Sequence, residues 1–222
     1  MSDTGDTART GDVARTALSR DRIIGVAVEY ADANGVEQLT MRSVAEALGC
    51  APMSLYNHVA NKSDLLAAMV DVVAAEIDLA PETADGDWRD AMRAISEAAH
   101  HVLRRHPWVV TEWTVQMPGP ARIDFMEAIL RILTEAGLSE ELVYHGYHAV
   151  TMHIVGFTQQ ELGYERLGAD VVESVAMTFM QNLGGDYPHM AAHVRAHFSG
   201  ADHGDEFLFV LDLILDGLAN AG

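Results

Sequence analysis

Between Thr40 and Lys62 the chain sets out a row of side chains that can hydrogen-bond well away from their own backbone: Arg42, Ser54, Tyr56, Asn57, His58 and Lys62. None belongs to a nucleophile elbow, a phosphate-binding glycine loop or a paired-carboxylate motif, so bond-making chemistry has no apparatus here. The chemistry they suit is recognition. The Arg42 fork can make a bidentate contact to guanine, Ser54 and Asn57 can hydrogen-bond bases or phosphates, and Met53 offers apolar contact to a thymine methyl. Tyr56, His58 and Lys62 suit phosphate oxygens. Lys62 also lies in a first helical turn capped by Asn61, whose free N–H groups can meet the same phosphate.

A second set is formed by histidines. His189, His193 and His197 recur every four residues and share one helix face, a spacing that can ligate zinc, and His145, His148 and His153 make a looser set. No cysteine or well-placed carboxylate completes either site, so a solvated or pocket-lining histidine face is the preferred reading and no metal or cofactor is expected. The alternative is a metal- or pH-responsive role for the His189/His193/His197 face, because imidazoles titrate near a pKa of ~6.5.

The elements that must position the first row are short helices. Ser19 can cap a helix with Ile23, Ile24, Ala27, Val28 and Ala31 inward, stopped by Asn34-Gly35. Thr40 caps the next, which buries Val44, Ala45 and Leu48 and ends at Gly49. Pro52 then opens a third, running to His58, with Leu55 and Val59 turned to the core and Met53, Ser54, Asn57 and His58 turned outward. Two short helices around a tight glycine turn form a helix-turn-helix, whose main use is to lay its second helix in the major groove of double-stranded DNA.

These residues, Gly35…Leu39-Thr40…Val44-Ala45…Leu48-Gly49…Leu55-Tyr56…His58-Val59…Asn61-Lys62…Leu65-Leu66, resemble the tetracycline-repressor (TetR) family of bacterial regulators over about residues 19–70. The resemblance implies that Thr40, Tyr56, His58 and Lys62 lie against the DNA backbone and that Arg42, Pro52, Met53 and Ser54 read bases. Two departures stand out. Met41 occupies a position where a hydroxyl residue is common, and Cys50-Ala51-Pro52-Met53 leaves the front of the third helix poor in hydrogen bonds.

A net charge of −19 over 222 residues argues against a DNA partner unless the charge is unevenly placed. It is. Residues 1–66 carry −3 and the remainder −16, so the acidic load sits beyond the DNA-reading unit. Affinity should be modest, salt-sensitive and dependent on two copies. The single cysteine, Cys50, excludes an intrachain disulfide and reads as a small packed residue.

The apolar pattern is helical throughout, giving an all-α expectation: an N-terminal three-helix DNA-binding domain followed by a larger helical domain for ligand binding and dimerisation. The expected divisions are a flexible arm over 1–18 without signal or anchor character, the DNA-binding domain with its connecting helix over 19–81, and the second domain over 82–222. The connecting helix should run from Asn61 to about Leu79. Further helices are expected at about 87–105, 107–115, 120–136, 139–162, 170–183, 188–198 and 205–220. Leu142–Gln160 has no charged residue over 19 positions, but its histidines, threonines and glutamines suit burial in protein rather than lipid.

Helices 139–162 and 205–220 are apolar on more than one face, and a second face needs a second partner. They are expected to make a four-helix homodimer interface, with Gly146 and Gly156 permitting close approach. The resemblance agrees, since the family dimerises through its last helices. Aromatic, methionine and uncharged polar residues between 100 and 160 suggest an apolar ligand cavity. Its expected lining comprises Trp108, Trp113, Met117 and Phe125, then Tyr144, Tyr147, His148, Thr151, Met152 and Phe157. Together these readings give a cytoplasmic homodimeric regulator, a repressor leaving a palindromic operator when a small hydrophobic effector binds, and not an enzyme.

Overall fold

The computed structural model describes residues 17–79, 86–183, 186–197 and 205–221, and among these there is no strand. Most of the expected arm, and the breaks at Pro81, Gly184-Gly185 and Gly200, lie outside the described residues.

Ser19 caps α1 (Arg20–Asn34) by accepting the Arg22 N–H at 3.2 Å, and Ile23, Ile24, Ala27, Val28 and Ala31 form the buried stripe. Thr40 caps α2 (Met41–Leu48) in a reciprocal box: its hydroxyl accepts the Ser43 N–H at 3.0 Å, and the Ser43 hydroxyl accepts the Thr40 N–H at 2.9 Å. Gly49 stops the helix in the left-handed region at φ 67°, where a Cβ would be strained. Pro52 opens α3 (Pro52–Leu55), and Leu55 and Val59 are buried as expected.

The regular part of α3 is shorter than the expected run to His58. Leu55 O accepts both the His58 N–H at 2.9 Å and the Val59 N–H at 3.0 Å, which tightens Tyr56–His58 into a turn. Helix α4 (Lys62–Ala74) likewise ends before the expected Leu79. Its end narrows through Glu76 N–H to Val73 O and Ile77 N–H to Ala74 O, both 3.1 Å. Ile77 stays in the core, so the apolar spacing outlasts the helix.

The second part comprises α5 (Trp88–Arg105), α6 (Val109–Glu112), α7 (Pro120–Glu135), α8 (Glu140–Leu167), α9 (Ala169–Leu183), α10 (Pro188–His197) and α11 (Glu206–Ala221). Helix α6 is a single turn rather than the expected 107–115. Helix α8 continues through Gly163 and stops at Gly168, φ 80°. An interior glycine costs about 1 kcal/mol, which the packing of Leu162 outweighs.

Helix α5 packs against α7, α8 and α11, while α4 touches α1 on one side and α7 on the other. That makes α4 the shared member of both cores. The buried stripe of α8 is Gly146, Val150, Ile154, Thr158 and Leu162, and that of α11 is Phe207, Leu211, Leu215 and Leu218. On their other faces Tyr144, Met152, Phe209 and Leu213 are 59–71% exposed in the single chain. Gly146 does allow a close approach, but within the chain: a Cβ there would lie 3.1 Å from Leu218, whereas Gly156 faces open space. No helix among the described residues is long and apolar enough to cross a membrane.

Candidate DNA-reading surface and effector cavity

Around α2 and α3, Arg42, Pro52, Met53, Tyr56, Asn57 and Lys62 are exposed, while Ser54 and His58 are half-buried. Met53 is 74% exposed and so takes no part in the core. Thr40 is exposed but its hydroxyl is engaged in the α2 cap, leaving it an additional lone pair for a backbone contact. Cys50 is half-buried and packs against the core.

Two residues outside the expected set hold this surface. Arg20 donates to His58 O at 2.8 Å and to both Asp64 carboxylate oxygens at 2.9 and 3.2 Å. Asp64 also accepts the Ala60 N–H at 2.8 Å. The hydrogen bond from Arg20 holds the Asp64 carboxyl below its ordinary pKa, and the Arg20 pKa is raised in turn. The turn bearing His58 and Lys62 is thereby braced against α1. The partners lie 44 residues apart, a separation that no local sequence pattern reveals.

A junction at the C-terminal ends of α1, α4 and α5 joins the two parts of the chain. Asp32 accepts the Trp108 indole N–H at 2.7 Å and meets His106 Nδ1 at 2.9 and 3.0 Å. His106 Nε2 lies 3.4 Å from Glu76, which also pairs with Arg105 at 2.5 Å. Trp108, expected in the cavity lining, is instead a buried strut of this junction.

A cavity of about 910 Å³ lies between the C-terminal half of α5, the end of α8, α9, α10 and the start of α11. Val171, Val175, Phe179, Met190 and Val194 provide an apolar wall. The facing wall carries His100, Arg104, Phe157, Glu161 and Phe207. His100 stacks on Phe207 at 4.2 Å between ring centroids, and Phe207 stacks on His153 at 4.7 Å.

Of the ten residues expected to line the cavity, Phe157 alone borders it. Met117, Tyr144 and Met152 are 81%, 61% and 71% exposed. Trp113 packs edge-on against Phe125 at 5.9 Å between ring centroids, and the Arg122 guanidinium lies over the Trp113 ring, 5.0 Å from its centroid. Tyr147 is half-buried and its hydroxyl pKa is raised by burial. His148 packs edge-on against both Tyr144 and Tyr147, and Thr151 donates back to Tyr147 O at 2.8 Å. Spacing identified an apolar, aromatic region but could not tell which side of α8 encloses space. The available signal was His100, which falls on the buried stripe of α5 with Met92, Ser96 and Leu103.

His193 and His197 line the cavity, while His189 is not among its walls. Among the described residues no three His, Cys, Asp or Glu side chains are grouped to hold a metal ion.

A helix-turn-helix with an exposed reading face, joined through a shared helix to an all-helical part with a large cavity, defines a one-component DNA-binding regulator. Residues 23–69 match the model for bacterial regulatory proteins of the tetR family, and residues 80–221 match the tetracyclin repressor-like C-terminal domain. The chain belongs to the tetR family: it is a DNA-binding transcriptional regulator and not an enzyme. It is 33% identical to the HTH-type transcriptional repressor DrrR1 of Streptomyces coeruleorubidus, the match covering 98% of this chain and 92% of that protein. The fold is similar to that of the Streptomyces coelicolor TetR family protein ActR in complex with actinorhodin, with a TM-score of 0.79 and 25% identity over 93% of this chain and 99% of that one. It is also similar to BioQ with its double-stranded DNA operator, with a TM-score of 0.66 and 22% identity over 92% and 99% of the two chains. The family acts as dimers.

Proposed function

We propose that the 910 Å³ cavity between α5, α8, α9, α10 and α11 is the effector site, and that a small hydrophobic molecule bound there releases the dimer from a palindromic operator. The observation that carries this reading is the position of α5. Its last two turns present His100 and Arg104 to the cavity, and the next residues, Arg105, His106 and Trp108, fasten to Glu76 and Asp32 on the DNA-reading side. A displacement of one end of this segment is therefore felt at the other. A ligand shifts the dimer toward its DNA-incompetent arrangement to the extent that it binds that arrangement more tightly.

Arg42, Pro52, Met53 and Ser54 read base edges, Asn57 meets bases or phosphates, and Thr40, Tyr56, His58 and Lys62 contact the backbone. Residues 19–81 serve DNA and 82–222 serve ligand and dimer, with the exposed apolar faces of α8 and α11 meeting their copies. The protein works in the cytoplasm, where its operator is. Selection of duplex DNA by the purified protein at ~0.15 M salt, with Arg42→Ala alongside, tests the reading surface. A two-fold symmetric motif that loses its preference at one base pair of each half-site in the variant is expected. Equal weakening at every base pair would remove Arg42 from the readers.

A further inference from the structure

On the polar wall of the cavity two acceptors face each other with no hydrogen-bond donor between them, and this bears on the chemistry of the effector, resting on the reading of that cavity as the effector site. The Thr158 hydroxyl donates to Ile154 O at 2.6 Å. Its contact with His100 Nδ1 at 2.8 Å must then be a bond that Nδ1–H donates. On a neutral ring this leaves His100 Nε2 as a bare acceptor, and it faces another acceptor, Glu161 Oε2, 3.4 Å away. That carboxylate oxygen is buried without a hydrogen-bond partner. A buried acceptor left unpaired costs about 1–3 kcal/mol, so two facing one another form a site that a donor would relieve.

The protein supplies positive charge there only in part, through Arg104, whose Nε lies 3.3 Å from the same Glu161 Oε2 without forming a hydrogen bond to it. Burial, reinforced by Arg104 and His101, holds the His100 pKa down to about 4, so the ring is neutral near pH 7. Burial pushes the Glu161 carboxyl up, and Glu165 and Asp205 push it the same way against the pull of Arg104. Arg104 is itself shared between Glu161, 3.3 Å from its Nε, and Glu165. The cavity wall also includes Asp205 and Glu206, giving three carboxylates to one guanidinium.

We infer that the effector is a polycyclic aromatic compound carrying an alkylamine: a multi-ring apolar body lying between Phe157, Phe207 and the valine face of α9, with a protonated amino group donating to His100 Nε2 and Glu161 Oε2. An ammonium has donors for both atoms and a charge that balances the carboxylate excess. A cavity of about 910 Å³ is at the upper end of the range for small-molecule sites and has room for several fused rings. A carboxylate at the same place would set a third acceptor against two.

Fluorescence titration of the full-length protein, without DNA, with aminomethylanthracene, hydroxymethylanthracene and anthracenecarboxylate compares one ring system in three charge states. The amine should bind at least about tenfold more tightly than the other two. Glu161→Gln should abolish that preference while leaving the melting temperature unchanged or higher, because its amide can donate to His100 Nε2. Asp205→Asn, which retains an acceptor for the start of α11, should reduce the preference, and Glu140→Gln on the outer end of α8 should not. Equal binding of the three compounds, or an amine preference that survives Glu161→Gln, would overturn the amine while leaving the cavity as the effector site. Binding of none of them would overturn the cavity reading and the amine together.

Discussion

Replacing Asp32 with Ala tests whether the junction between α1 and α5 joins the two parts of the chain. Its carboxylate accepts from the buried Trp108 N–H at 2.7 Å and from His106 Nδ1 at 2.9 Å. Trp108 is 6% and His106 9% exposed, so neither finds water easily once the acceptor is gone. An orphaned buried donor costs about 1–3 kcal/mol; with two donors affected and Asp32 partly solvated, a loss of about 2–3 kcal/mol is expected. Trp108→Phe removes the N–H while keeping most of the ring. Asp32→Ala made in that background should therefore cost about 1 kcal/mol less than it does alone. The assay is urea unfolding of the wild type, both single variants and the double variant at one protein concentration, because dimerisation contributes to stability. Operator binding with and without effector gives a second readout: Asp32→Ala should narrow the difference between the two states. Single-variant losses that add to within about 0.5 kcal/mol would mean that Asp32 and Trp108 act independently, and the proposed transmission through their bond would fall.

Lys62→Ala should weaken binding evenly over DNA sequences and reduce the salt slope by about two, one for each protomer of the dimer, seen by titrating operator and scrambled duplexes over a salt series; a change confined to one base pair of each half-site would contradict a phosphate role. His100 should make stability pH-dependent. Its folded pKa of about 4 lies below the ordinary 6.5, so its contribution is present above pH 6.5 and is lost as the pH falls toward 4. His100→Gln should flatten that limb by up to about 3 kcal/mol, measured as the difference between the wild-type and variant unfolding curves; parallel curves would refute it. Phe209→Glu with Leu213→Glu, on the exposed face of α11, should give a folded monomer by sedimentation with little operator affinity, and a variant that remains dimeric would move the interface elsewhere.

Local pattern was enough for the elements whose reasons are local. Ser19, Thr40 and Asn61 announce helix starts because a cap is a bond between residues two or three apart. Gly49 marks a stop because the backbone there needs a left-handed turn. The outward set from Arg42 to Lys62 follows from the same short-range periodicity, with Leu55 and Val59 fixing which side faces the core. Weaker signals misled where tertiary packing replaced the local reason. Gly163 reads as a stop yet lies inside α8, and Ile77 extends the apolar spacing of α4 beyond its helix.

The amino-acid sequence by itself determined the family, the all-α character, the reading helix and the apolar second faces of α8 and α11, because each is written in spacing along a single element. Only the tertiary structure decided which residues meet across the chain: Arg20 with Asp64, Asp32 with His106 and Trp108, and His100 with Glu161. It also decided where a cavity opens, against the C-terminal half of α5, and of the expected lining only Phe157 borders it. A cavity is space left between helices, and its position depends on their crossing angles and on which stripes mate. Those quantities arise from many distant contacts acting together, which no stretch of the chain encodes alone.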